Sequence, residues 1–168
     1  TFIYRMNGPF DPDLTAVGHQ PLYWDQYTPI YQNYRVLGSQ IRIEWAPALP
    51  DDGTVGPWQV GITGSVSSSS LGTSGPTRAE MNDSVSDVLS SKDGTRELFL
   101  NYSPEISLGR PAGDDTVGAL VTTSPTQQYF AHVWAQDIKG TAASSVVYHR
   151  VMLEYTIEFF GLNIPTGS

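Results

Sequence analysis

The sequence predicts an all-β fold of many short strands joined by loops, and three observations support this prediction. Glycine and proline are frequent, with 16 and 12 copies among 168 residues. Several segments alternate apolar and polar residues with a period of two, which is typical of strands that bury one face. Long helical patterns rich in Leu, Ala, Glu and Lys are absent, as is any regular alternation of strands with helices.

A chain of 168 residues is long enough to bury a core as one domain, so we expect residues 1–168 to form a single domain. The chain contains no cysteine, which excludes a disulfide framework and thiol chemistry. Charged side chains interrupt its most apolar stretch, residues 145–164, so the sequence predicts no transmembrane segment. The first residues resemble neither a signal peptide nor a transit peptide.

Seven segments carry a strand pattern. In the second of them, Leu37, Ile41, Ile43 and Trp45 share the predicted buried face, and Val36 interrupts the polar face. The segments span residues 1–6, 37–45, 58–66, 97–102, 119–121, 128–138 and 147–159.

Two of these segments are especially informative. Both faces of residues 128–138 carry apolar side chains, which predicts a central strand. Residues 147–159 show the longest alternation, with five apolar side chains on one face. We expect Leu153→Asp to unfold the protein, because the change places a charge within that apolar face.

Two short helices are possible. Asp25 is a candidate N-cap for a helical turn that Pro29 limits in length. Residues 78–89 space Met81, Val85 and Leu89 by four, which indicates an amphipathic helix, although serine and aspartate weaken this pattern.

About eight antiparallel strands with long loops, at most two short helices and no βαβ units predict a single jelly-roll sandwich of two four-stranded sheets. The long loops are candidates for the exterior surface and for contacts between copies of the chain. They span residues 46–57, 67–75, 103–118 and 139–145.

The densest aromatic cluster lies in residues 18–45 and passes directly into the second strand. We interpret this cluster as an aromatic plug over one end of the sandwich, since aromatic side chains contribute large buried areas. The alternative is an exposed platform for a ligand.

A motif in this cluster resembles the capsid proteins of circovirus-like viruses, which have small circular single-stranded DNA genomes and encode a replication initiator. Shorter pieces of the resemblance continue to Phe160. The motif consists of His19, Gln20, Pro21, Trp24, Asp25, Gln26, Tyr34, Arg35, Gly38 and Ser39.

The resemblance implies a jelly roll that self-assembles into a closed icosahedral shell, with 60 copies in the smallest, T=1, arrangement. It implies packaged single-stranded DNA, a location in the virion and assembly in the host nucleus. In this family a basic N-terminal arm contacts the genome. Because the sequence begins at Thr1 in strand-like residues, we expect such an arm to lie outside it.

The net charge of −8 opposes nucleic-acid binding by residues 1–168 alone, because phosphate binding depends on Lys and Arg. The nine basic residues are scattered singly. Arg5, Arg42 and Arg150 are the candidate contacts to packaged DNA. The other interpretation of these arginines is ion pairing with acidic side chains on a solvated sheet face.

The sequence contains no recognisable catalytic or metal-binding motif. His19, His132 and His149 are isolated, and we expect the last two to be satisfied polar residues of strands. Glu154 and Glu158 share a strand face, but their Cα atoms lie about 13 Å apart. Glycosidase carboxylates are closer, at about 5 to 9.5 Å. We therefore expect neither an enzyme nor a cofactor.

Two other functions fit the same composition. A secreted carbohydrate-binding sandwich would stack sugars on exposed tryptophans, with Trp24, Trp58 and Trp134 as the candidates. A coat protein of a small RNA virus would share the jelly roll but enclose a different genome.

Overall fold

A computed structural model of the chain describes residues 1–15, 18–47, 57–90, 94–138 and 147–164. Within these ranges the chain forms strands, two short helices and one π-helical turn. In chain order they are β1 (Phe2–Arg5), α1 (Trp24–Tyr27), β2 (Tyr31–Pro47), β3 (Trp58–Ser65), α2 (Gly75–Ala79), β4 (Ser84–Leu89), β5 (Arg96–Tyr102), the π-helical turn (Pro104–Leu108), β6 (Gly118–Leu120), β7 (Phe130–Asp137) and β8 (Val147–Leu162).

The strands form two antiparallel sheets. The first sheet has the order β1-β7-β3-β4. The second is centred on β2, which pairs with β8 along one edge, while β5 and β6 share the other edge. The predicted all-β jelly-roll sandwich is therefore confirmed.

The pairs of this sandwich are nested along the chain. β3 pairs with β4, β2 pairs with β5, and β1 pairs with β7. Each pair encloses the previous one in sequence, as in one long antiparallel hairpin rolled into two layers.

The core lies between the two sheets. Tyr34, Ile41 and Ile43 of β2 face Val60 and Ile62 of β3, and all of them are fully buried. In β7, residues 130–134 are buried on both faces, which confirms the predicted central strand. β1 and β3 flank β7, and the Arg78 guanidinium of α2 lies 5.8 Å from the Trp134 ring.

The prediction for Leu37 is wrong. Val36 is buried, whereas Leu37 is 39% exposed. The pairing of β2 with β8 shifts register between Val36 and Gly38. This bulge adds one residue and reverses the alternation, so a strict period of two cannot continue through it.

The helix predicted for residues 78–89 is also wrong. The chain leaves α2 at Ala79, turns at Asp83 with a φ of 57°, and continues as β4. β4 pairs with the edge of β3 from Thr63–Ser84 to Trp58–Leu89. Serine and aspartate contribute little to a helix, so the backbone hydrogen bonds offered by β3 determine the conformation.

Helix α1 is a single turn that ends before Pro29, as predicted. Its N-cap is Tyr23, with a φ of 71°, and no side chain caps it. Asp25 lies in the first turn, so its prediction as the N-cap is wrong.

Candidate functional site

Part of the aromatic cluster of residues 18–45 forms the predicted plug at one end of the sandwich, whereas Tyr23 and Tyr27 of the same cluster are 57% and 47% exposed. Trp24 is 3% exposed, and its ring lies 5.0 Å from Tyr34 and 5.5 Å from Phe159. The Tyr34 hydroxyl donates a hydrogen bond to the Thr123 carbonyl at 2.9 Å. Burial raises the pKa of Tyr34 above its ordinary value, so this hydroxyl stays protonated at neutral pH.

Other residues of the family-like motif connect segments of the plug. The Gln20 amide donates to the Phe10 carbonyl at 2.8 Å, and the Ser39 hydroxyl donates to the Met6 carbonyl at 2.5 Å. A hydrogen bond at 2.9 Å joins His19 Nδ1 to the backbone carbonyl that follows it.

The remaining motif residues lie in different environments. Arg35 forms an ion pair with Glu158 at 2.5 Å on the solvent face of the second sheet. Gly38 lies at the bulge of β2, and Pro21 lines a cleft beside β8. Asp25 and Gln26 are exposed on α1.

The structure does not bring the three candidate arginines together. Arg5 belongs to the first sheet, and its guanidinium binds Asp11 at 2.6 Å. Arg42 and Arg150 lie in the second sheet, where Arg42 contacts Glu97 at 2.9 Å and Arg150 contacts Glu44 at 3.9 Å. Their role in nucleic-acid contact stays a prediction.

The outer face of the second sheet is mixed in charge. Arg42 and Arg150 alternate there with Glu44, Glu97 and Glu154 along the paired strands. Exposed pairs of this kind contribute little to stability and weaken any positive field.

Three tryptophans were candidates for a sugar platform, and none of them is exposed. Trp24 and Trp134 are at most 3% exposed, and Trp58 is half-buried. The Trp134 indole donates to the Thr63 hydroxyl at 2.9 Å, inside the first sheet. These rings therefore pack in or against the hydrophobic core.

Sequence reasoning missed an exposed apolar surface at the end of the second sheet. Leu120 and Phe160 both pair with Asn33 from opposite sides, and the amide of Asn163 donates to the Ile30 carbonyl at 2.8 Å. We call this surface the β8-end patch. Its members and exposed fractions are Ile30 (48%), Leu120 (53%), Phe160 (40%), Leu162 (62%) and Ile164 (84%).

No simple sequence signal marks this patch, because Leu120 lies within a predicted strand and Phe160 and Leu162 directly follow one, where apolar residues are expected inside. Among the predicted loops, residues 103–118 also expose a large side chain, Ile106, at 86%. The predicted loops 46–57 and 139–145 lie almost entirely outside the described residues.

The described ranges contain no group of three His, Asp or Glu side chains arranged to hold a metal ion. His132 is fully buried, and its Nε2 lies 2.8 Å from the Ser67 carbonyl. Burial lowers the pKa of His132, and the nearby Arg78 lowers it further. No helix in the described part of the chain is long and apolar enough to span a membrane.

Comparisons with known proteins give structural matches only. No protein-family model matches the chain, and no curated protein matches its sequence. A chain of the solved structure of tobacco necrosis virus superimposes with a TM-score of 0.48 and 11% identity, covering 99% of this chain and 89% of that one. A chain of the single-particle structure of maize chlorotic mottle virus gives a TM-score of 0.46 and 11% identity, covering 100% and 89%.

Proposed function

We propose that residues 1–168 form the shell domain of a viral coat protein that assembles into a closed icosahedral particle around circular single-stranded DNA. The β8-end patch is the observation that carries this proposal. Large apolar side chains exposed near one another at one end of a sheet are candidates for contact with another protein. The jelly-roll strand order and the family-like motif of residues 18–39 support a coat shell as the kind of association.

The proposed mechanism is geometric. A rigid sandwich presents the same patch on every copy, and symmetry repeats the contact until the shell closes. Each contact is modest, but many contacts act together in one particle. We propose 60 copies, the smallest icosahedral number, and a location in the virion. Assembly in the host nucleus stays a prediction from the family resemblance.

Genome binding in this proposal depends mainly on a basic arm outside residues 1–168. Arg150 is the most accessible of the three candidate contacts, with its side chain 70% exposed, whereas the Arg5 side chain is 15% exposed. Replacing Arg150 by Gln should reduce the salt dependence of binding by about one phosphate contact. An unchanged salt slope for Arg150→Gln would remove this residue from the proposed contacts.

The nature of the genome rests on the family resemblance alone. An RNA-virus coat protein with the same fold is the second candidate. Nucleic acid extracted from particles should resist RNase and be degraded by a single-strand-specific DNase. The opposite sensitivity would favour the RNA candidate.

The patch gives the direct test of assembly. We expect the purified chain to form large particles by light scattering after size exclusion. Leu120→Glu combined with Ile164→Glu should leave a folded monomer, because charge within the patch opposes its burial. The matched control is Val88→Glu on β4, an exposed apolar residue of the other sheet, which should still assemble. Particles from the double variant would contradict the role of the patch.

A further inference from the structure

The connection from β3 to β4, residues 66–79, covers part of the outer face of the first sheet. Ala131 of β7 belongs to the core cluster, so its neighbours of opposite parity, His132 and Trp134, point away from the core. Both are nevertheless at most 1% exposed. The Ser67 carbonyl lies 2.8 Å from Nε2 of the histidine, so the connection contributes to this burial. We call residues 66–79 the β3–β4 cover.

A few polar contacts hold the β3–β4 cover against the sheet. The amide of Gly75 donates a hydrogen bond to the side-chain carbonyl of Gln136 on β7. The Arg78 guanidinium donates to the Gly72 carbonyl and lies 5.8 Å from the centre of the Trp134 ring. Most other residues of the cover are exposed. Because so few contacts hold it, the cover can detach while the two sheets stay folded.

His132 lies under this cover in its neutral form. A carbonyl oxygen can only accept a hydrogen bond, so Nε2 carries the proton that is donated to the Ser67 carbonyl. Nδ1 is buried and has no hydrogen-bond partner among the residues that the structure describes. Protonation would place an N–H group and a positive charge at Nδ1, in a site closed to water. Burial of such a group without a partner is unfavourable.

The immediate neighbours of His132 also disfavour the charged ring. Burial lowers its pKa, and the Arg78 guanidinium of the cover lowers it further. Its partners in the sheet, Ile3 of β1 and Thr63 of β3, carry no charge. An imidazolium at this position therefore has a cation beside it.

The carboxylates around this face are bound elsewhere or lie in solvent. Asp11 binds the guanidinium of Arg5, the charged residue of β1, at 2.6 Å. Asp83, in the turn before β4, accepts a hydrogen bond at 2.5 Å from Tyr129, which belongs to the core cluster. Glu80, at the end of α2, is exposed. None of these three carboxylates neutralises a charge on the buried histidine.

We propose that the β3–β4 cover is a pH-sensitive device, closed while His132 is neutral and opened when this ring takes up a proton. Opening admits water to Nδ1 and separates the ring from the Arg78 guanidinium, so the open form accommodates the charge. It also exposes Trp134, which is hidden at neutral pH. The change takes place within one chain, so this inference goes beyond the proposed coat function and does not depend on it.

Amide hydrogen exchange of the unmodified chain measures this opening. The reporters are the amides of Gly75 and Arg78, which donate to Gln136 and to the Ser74 carbonyl. After correction for the intrinsic exchange rate, their protection should decrease by up to about 30-fold from pH 7.5 to 5.0, a limit set by the ordinary histidine pKa in the open form. The control is the Thr28 amide, which closes the single turn of α1 and should keep its protection.

Two variants distinguish His132 from the other strand histidine. His132→Gln should remove the pH dependence of exchange at Gly75. His149→Gln is the matched control and should retain it, although burial lowers the pKa of His149 as well. If His132→Gln does not fold, proton NMR of the unmodified chain replaces it, and the His132 ring should titrate with a midpoint below about pH 6.5.

Several results would overturn the proposal. Equal protection of Gly75 at the two pH values is one, and pH dependence that persists in His132→Gln is another. A midpoint for the His132 ring at or above its ordinary value would also contradict it. A decrease in protection that the amides of β7 share, at the same free energy of exchange, would mean that the whole chain unfolds rather than that the cover opens.

Discussion

The Tyr155 hydroxyl of β8 donates a hydrogen bond to the backbone carbonyl of Arg5 in β1, with an oxygen–oxygen distance of 2.6 Å. The two residues belong to opposite sheets and are 150 positions apart in the chain. Burial raises the pKa of Tyr155 well above its ordinary value, so the hydroxyl remains a donor throughout the physiological range. This bond connects the two sheets near the aromatic plug.

We expect Tyr155→Phe to lower the free energy of unfolding by about 1–2 kcal/mol, because the Arg5 carbonyl loses its partner while the ring remains. Urea denaturation measures the change. Tyr148→Phe is the matched control, because Tyr148 is 63% exposed on the same strand. Equal stability of the two variants would show that the inter-sheet bond contributes nothing.

Gly61 of β3 permits the Trp134 ring to pack directly on the backbone. A Cβ at this position would lie 2.7 Å from Cε2 of the indole, which is far inside normal contact. We expect Gly61→Ala to destabilise the protein by about 1–3 kcal/mol through overpacking. Gly94→Ala is the control, because its Cβ would meet nothing within 4 Å, and it should be neutral or slightly stabilising. Thermal unfolding of both variants measures the difference.

Cross-strand partners in the core should differ in their response to truncation. Ile41 is fully buried, and Leu153 opposite it is half-buried. We expect Ile41→Ala to cost about 2–5 kcal/mol and Leu153→Ala to cost about half as much in residues 1–168. Chemical denaturation of both variants tests this order, and a larger cost at Leu153 would contradict its half-buried position.

As the pH falls, the free energy of unfolding should begin to decrease at pH values above those at which the carboxylates titrate. Burial holds the pKa of His132 below 6.5, so the unfolded chain binds a proton first as the pH falls through that value. The contribution of His132 is complete above about pH 6.5 and is lost progressively below it. The free energy of unfolding should therefore decrease from pH 7.5 to 5.5, and less steeply in His132→Gln. Identical slopes would exclude His132 as the cause.

The sequence predicted the fold class, the central strand β7 and the long strand β8 because each depends on local alternation of apolar residues. It also predicted that Trp24 belongs to a buried plug. These features follow from residue type and spacing alone.

The errors arose where a distant partner decides the local structure. Leu37 turns outward because β2 contains a bulge against β8. Gly38 is compatible with a bulge, but the alternation of apolar residues alone does not reveal the extra residue. Ser84–Leu89 becomes a strand because the edge of β3 is available. Propensity alone cannot reveal either event, because both depend on hydrogen bonds to segments far away in the chain.

The candidate site was harder to predict than the fold. Arg5 and Arg42 were grouped by charge, but they lie in different sheets, and each is paired with an acid. Leu120 and Phe160 form a common surface only because both pair with Asn33. Patches of this kind depend on how neighbouring strands are aligned in the sheet, and local sequence does not specify this register.

Electron microscopy of the purified protein in negative stain, together with its absorbance ratio at 260 and 280 nm, tests the central claim most directly. The coat-protein proposal predicts uniform round particles, with excess absorbance at 260 nm when the basic arm is present. A monomer with a protein-like ratio at near-physiological salt, from a chain that includes its natural amino-terminal residues, would contradict it.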